Sequence, residues 1–189
     1  MRIMLRDVRQ SFMCYWKPEP FPNSTDPTPY FSGTYLLPAD HPQLPELKKI
    51  CLELCVEKWG KTKGPAIYKA IQMTGKIFLR DGNAKPDYDG FPGNWFISAR
   101  SKVMPSYFDG QKQPITEAQG VLYSGCYVNV SLEMFAYTKG NNGLGARQRG
   151  VQFLRKGDAF GGGGPPADES EFDEIDNPEE AGEVDPLMG

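Results

Sequence analysis

Histidine is nearly missing from this chain: the 189 residues contain one, His41, set between Asp40 and Pro42. A Ser-His or Cys-His nucleophile would have to rest on that single imidazole at the entrance to a helix, so no catalytic activity is expected. The four cysteines, Cys14, Cys51, Cys55 and Cys126, include no CxxC pair. Cys51 and Cys55 stand one helical turn apart in apolar surroundings, the setting of reduced core thiols rather than of zinc ligands. No stretch approaches the roughly 20 apolar residues that a membrane span requires, and no apolar run near the start resembles a secretory leader, so a non-membrane protein in a reducing setting is expected. There is no GxxxxGKS or GxxxxGKT loop, and the glycines near Gly143 lack the strand and helix of a dinucleotide site, so no cofactor is expected. Lys and Arg are absent after Lys156.

That last absence divides the chain. Residues 167–189 carry ten of the 24 acidic residues, leaving 21 basic against 14 acidic residues before them. The small net charge of -3 thus conceals a cationic body joined to its own polyanion. Between the two, four consecutive glycines (Gly161 to Gly164) and Pro165-Pro166 read as a hinge, because ordering them loses more entropy than packing returns. The expected organisation is a folded domain over 1–160, a hinge over 161–166 and a disordered acidic tail over 167–189, too charged and too poor in apolar residues to fold alone.

Within the body, residues 2–16 partly alternate in polarity and read as a first strand. Prolines 18, 20, 22, 27, 29 and 38 crowd the next segment, so Lys17 to Pro38 is expected to be an extended loop. Asp40 is a candidate N-cap; Pro42 and Pro45 suit a first helical turn, and Leu47, Ile50, Cys51, Leu54 and Cys55 recur at helical spacing before a stop at Gly60. A weaker helical turn covers Ala66 to Met73. Strands are then expected at KIFLRDG, around Trp95 to Lys102, before the Asp109-Gly110 turn, over YVNVSLEMFAY (127–137) and over RQRGVQFLRK, the last two joined by a Gly- and Asn-rich loop. The whole is mainly β with an inserted helix.

A net positive body with aromatic residues on polar strand faces points to a nucleic-acid partner. Lys and Arg neutralise phosphates, while aromatic rings stack on unpaired bases at about 1–3 kcal/mol per base without demanding a sequence. Alternation places Phe96, Arg100 and Lys102 on one strand face, and Phe135 and Tyr137 on another; Tyr107 follows in VMPSYF. Arg80, Arg147 and Arg149 fall at strand ends or in adjoining loops. Each ring has a competing role in packing, because a sheet covered on both sides also carries rings on both faces. Phe172, Ile175, Leu187 and Met188 are the apolar residues of the acidic tail that a partner protein could grip. Two rival readings are an RNA binder and, in another class, a metal-dependent nuclease using Asp81, Asp87 and Asp89, although RDGNAKPDYDG is also ordinary turn composition.

Three ordered blocks, FISARS (96–101), YSGCYVNVSLEMFAY (123–137) and GVQFLRKGDAFGGG (150–163), followed by an acidic tail, resemble a family of bacteriophage OB-fold single-stranded-DNA-binding proteins. The resemblance implies a five-stranded barrel that binds exposed single strands in phage replication, recombination or repair, without catalysis or cofactor, in the cytoplasm of the infected bacterial host. The tethered acidic tail is itself expected to compete for the DNA groove and to dock replication or recombination proteins, and a homodimer is allowed. The ending, DPLMG, lacks the terminal aromatic of many binding-protein tails.

Overall fold

The computed structural model describes residues 1–20 and 25–161. The expected hinge beyond Gly161 and the acidic tail, with Phe172, Ile175, Leu187 and Met188, lie outside the described residues.

The first strand, β1 (Arg2–Glu19), is longer than alternation suggested because it belongs to two halves of one sheet. Its first part pairs with β6 (Tyr127–Tyr137) and its second with β2 (Tyr30–Pro38), both antiparallel. Register shifts interrupt these ladders between Leu5 and Val8 and between Ser11 and Cys14. The backbone enters the left-handed region at Asp7 (φ 51°) and Phe12 (φ 45°) inside those interruptions. Such bulges bend a strand and raise its twist, which lets one strand turn the corner of a barrel.

The seven-stranded sheet runs β3 (Leu79–Asp81), β4 (Asn94–Ser101), β2, β1, β6, β7 (Gly143–Arg155), β5 (Ser106–Phe108); β5 pairs parallel with β7 and the other neighbours are antiparallel. The five-stranded expectation is met by the five long strands, with β4 also approaching β7 to curl the sheet into an OB-type barrel. The two short strands extend its edges. The extended loop expected over Lys17 to Pro38 is corrected: β2 is a central strand between β1 and β4. It contains no proline before its last residue, so the neighbouring prolines said nothing about it.

The helix α1 (Leu44–Thr74) also differs at its start. Gln43, not Asp40, is its N-cap, and it makes no side-chain cap bond. His41 shapes the entry instead: Nδ1 accepts from the Gln43 N–H at 3.2 Å and Nε2 bonds the Arg6 carbonyl at 2.9 Å. The expected stop at Gly60 is a break with φ 84° and ψ 161°, after which the helix resumes to a left-handed cap at Gly75. Leu47, Ile50, Cys51, Leu54 and Cys55 are buried, as their spacing predicted, against the barrel core of Leu5, Leu37, Ile97, Val130, Leu132 and Met134.

The interior also holds a chain of hydroxyl hydrogen bonds. Tyr15 donates to Gln10 Oε1 (2.6 Å), Tyr35 donates to Gln148 Oε1 (2.7 Å), and the two hydroxyls stand 3.0 Å apart. Tyr107, proposed from sequence to meet DNA, is buried, stacked on Tyr15 at 4.9 Å and donates to the Tyr15 carbonyl at 2.8 Å. It is a core residue, because β5 turns its ring inward.

Burial pushes the Cys51 thiol up to about 12 and that of Cys126 up to about 11, and lifts the Tyr15, Tyr35 and Tyr107 hydroxyls well above the ordinary tyrosine value. In the unfolded chain such groups ionise near roughly 8.5 and 10. The folded state keeps protons that the unfolded state has released, so this stability is intact below about pH 8.5 and falls as pH rises toward 12. The urea midpoint should therefore hold between about pH 7 and 8 and decline steadily from about pH 9 upward; an unchanged midpoint near pH 11 would contradict these burials.

Candidate nucleic-acid interface

A strand buried on one side shows its alternate residues outward. On β2 and β4 the register pairs Ser32 with Arg100 and Thr34 with Ser98, and these side chains floor an open groove of about 960 Å³. The groove is walled by Asp26 and Thr28 before β2 and Tyr30 at its start, by Lys76 to Phe78 after α1, and by the ends of β6 and β7. In an OB barrel this face and its flanking loops are where extended polymers lie.

Its cations are held in place by rings and hydroxyls. Arg80, on β3, lays its guanidinium 4.7 Å from the Phe96 ring centroid and donates from Nη2 to Ser98 Oγ at 2.9 Å. Burial lowers its pKa, yet an arginine stays charged, and its Nε is buried with no hydrogen-bond partner. Arg100 and Lys102 both approach the Tyr30 ring, at 4.7 and 5.8 Å. Asp26 stands beside them; hydrogen bonds from Thr28 and Tyr30, with the Arg100 charge, hold its carboxyl below the usual range. Lys76 and Lys139 add charge to the wall.

The rings reach the groove by a device of glycines. Gly145 and Gly143 of β7 lie opposite Phe135 and Tyr137 of β6. A Cβ at Gly145 would stand 2.7 Å from the Phe135 ring, and one at Gly143 would collide with Tyr137. Both rings thus lean across bare backbone, their centroids 6.4 Å apart, half exposed at the groove's edge.

Of the residues singled out from sequence, Arg80, Arg100, Lys102, Phe135 and Tyr137 line this groove. Phe96 does not reach it as a stacking ring. It is buried with Leu36, Phe91 and Phe160, because the segment between η-turn Gly82–Ala84 and β4 folds over that end of the strand. Arg147 and Arg149 lie on the outer face of β7 and gather on Glu133, at 3.1 and 3.7 Å, together with Arg2 at 3.9 Å. Phe12, Tyr30, Lys76 and Lys139 line the groove and were missed. Tyr30 was hidden by the prolines around it, and nothing in the sequence marks the bulge that turns Phe12 outward.

The proposed acidic site does not assemble. Asp81 Oδ1 accepts from the Asn83 N–H at 2.9 Å and Asp89 from the Gly161 N–H at 3.1 Å, and among the described residues no three His, Cys, Asp or Glu groups come together to hold a metal ion. A second cleft of about 600 Å³ contains Arg6, Arg9 and Arg155, but Arg9 bonds the Gly125 and Asp158 carbonyls and Arg155 is paired with Asp7. That cleft has one half-exposed ring, Tyr127, with Arg155 3.7 Å and Arg9 5.8 Å from its centroid, whereas the larger groove sets several rings, Tyr30, Phe135 and Tyr137 among them, beside its cations.

Cations spaced along an open channel and interleaved with accessible rings, on a curled antiparallel barrel, define a class: a small β-barrel module suited to an extended polyanion that carries flat rings. The chain belongs to the family of the Enterobacter phage Enc34 ssDNA-binding protein, whose family model matches residues 1–182. It is 38% identical over 182 residues to protein p50 of Acyrthosiphon pisum secondary endosymbiont phage 1, covering 95% of this chain and 97% of that one. Among solved structures it is similar to the single-stranded DNA-binding protein from bacteriophage Enc34, with TM-score 0.65 and 23% identity over 90% of this chain and 88% of that chain. The same phage protein in complex with ssDNA gives TM-score 0.64 and 21% identity, covering 85% and 89%. The gp2.5 single-stranded DNA-binding protein encoded by bacteriophage T7 gives 0.55 and 10%, covering 82% and 91%. These structural likenesses establish the mainly β, one-helix fold.

Gly145→Ala meets only the far end of a side chain, so the ring tips away rather than the strand moving. The expected loss of stability in a denaturant melt is small, about 1 kcal/mol or less, while proton shifts of the Phe135 ring change; a loss above about 3 kcal/mol would place the ring in the core.

Proposed function

We propose that this protein binds single-stranded DNA without sequence preference, gripping phosphates with Arg80, Arg100, Lys102, Lys76 and Lys139 and stacking bases on Tyr30, Phe135 and Tyr137. The observation that carries this reading is the groove over β2 and β4, where cations and half-exposed rings share one open channel. The family to which the chain belongs supports it. Duplex DNA hides its base faces inside the stack, so a surface that uses rings favours unpaired strands. The protein coats DNA rather than cutting it, in replication, recombination or repair in the cytoplasm of the infected host.

The test is fluorescence anisotropy with labelled oligothymidine, its RNA counterpart and a duplex control, over a salt series. Tighter binding to the single DNA strand is expected, with log K falling linearly in log salt. Equal or tighter binding to RNA would reassign the polymer. Arg80→Gln should weaken binding about tenfold and reduce the salt slope by about 0.7, the share of one phosphate contact.

The acidic residues 167–189 are proposed to compete for the groove and to present Phe172, Ile175, Leu187 and Met188 to replication or recombination proteins. A tethered polyanion acts at an effective concentration in about the millimolar range. Truncation after Gly164 should tighten binding at low salt, and the gain should shrink as salt screens the charges. Weaker binding after truncation would overturn the competitor role.

A further inference from the structure

Phe12 occupies a conformation that a phenylalanine seldom holds. Its φ of 45° lies in the left-handed region, at the point of β1 where the register to β2 shifts between Ser11 and Cys14. A β-strand with regular pleat would bury or expose this position by alternation alone; the bulge instead re-aims the side chain. Strained backbone of this kind persists where the surrounding structure enforces it, and it clusters at sites that bind.

The ring it re-aims is 54% exposed, and it lines the groove. It does not hang loose. Tyr88 meets it edge-on with centroids 4.9 Å apart, and Phe91 lies at 5.8 Å, itself packed on Phe96 at 5.0 Å. Phe12 and Tyr88, the latter 43% exposed, therefore form a ridge of two rings standing on a buried aromatic base. Cations flank that ridge: Arg80 sits on the Phe96 ring at 4.7 Å, and the Lys85 ammonium is 5.7 Å from the Tyr88 ring.

We propose that Phe12, braced by Tyr88, is a separate stacking station that receives one unpaired base where the strand enters or leaves the groove, with Arg80 and Lys85 available to the adjoining phosphates. This rests on the single-strand-binding reading and extends it beyond Tyr30, Phe135 and Tyr137. A ring held rigidly before the ligand arrives loses little side-chain freedom on stacking, so the brace raises affinity without adding contacts. The station reads no sequence, because every base has a ring face.

Two variants of the full chain test it with oligothymidine. Phe12→Leu keeps an apolar side chain against Tyr88 and removes the ring; binding should weaken roughly 5- to 150-fold, the worth of one base stack. Phe12→Trp should bind like the parent, and its added indole fluorescence should be quenched as oligothymidine saturates the protein. Wild-type affinity in Phe12→Leu, or an indole whose emission is unmoved at saturation, overturns the proposal. Absence of oligothymidine binding by the unaltered protein would instead overturn the reading on which it rests.

Discussion

The barrel depends on β1 belonging to both of its halves. A straight strand cannot pair with β6 along one stretch and with β2 along the next while keeping its apolar residues inward. The chain meets this constraint by bulging twice, at Asp7 and at Phe12, with positive φ at each. Between the bulges Val8 and Gln10 point into the interior, where Gln10 accepts from Tyr15 and donates to the Tyr123 carbonyl at 2.9 Å. A buried tyrosine hydroxyl without a partner is destabilising by a few kcal/mol, so this chain of bonds fixes one packing of the centre. The second bulge serves the outside as the first serves closure: it turns a ring of the most central strand onto the groove.

Sequence pattern made the elements legible where a single rule governed them. The run 127–137 is β6 to the residue, because Val128, Val130, Leu132 and Met134 all face one core. The helix was legible from its repeat, but the stop expected at Gly60 is only a break, because the chain resumes the helix beyond it and ends at Gly75. β2 was illegible because composition was averaged over a segment whose prolines flank the strand: Pro29 stands just before Tyr30, and Pro38 is its last residue. Proline acts on its own residue and the one before it, and a window of twenty residues blurs that locality.

The site was legible only in part, and β4 shows why. Phe96, Ser98 and Arg100 share one face, so alternation treats them alike. Yet Phe96 is buried beneath Phe91, while Ser98 and Arg100 open into the groove. Alternation separates two faces of a strand; it does not say where along a face a loop lies down. The cations split in the same manner. Arg147 and Arg149 point outward from β7, but Glu133 stands across the ladder and draws both to itself. The excess of positive charge in the body is thus unevenly available, and counting Lys and Arg overstates what any one surface offers.

What distinguishes the groove is that its charges and rings are arranged before anything enters. Arg80 rests on Phe96 and Ser98; Arg100 and Lys102 rest about Tyr30; Phe135 and Tyr137 lean on glycine backbone. Each support limits rotamer freedom, which is the larger part of what ordering a long cation loses on contact with phosphate. The supports also explain why the aromatic residues are divided between two roles. Phe96 gives up its own exposure to hold Arg80 near the groove, and a buried ring beneath a guanidinium then contributes to an anion site that it never touches. Removing such a ring would act on the same ligand as removing the arginine, through position rather than through charge.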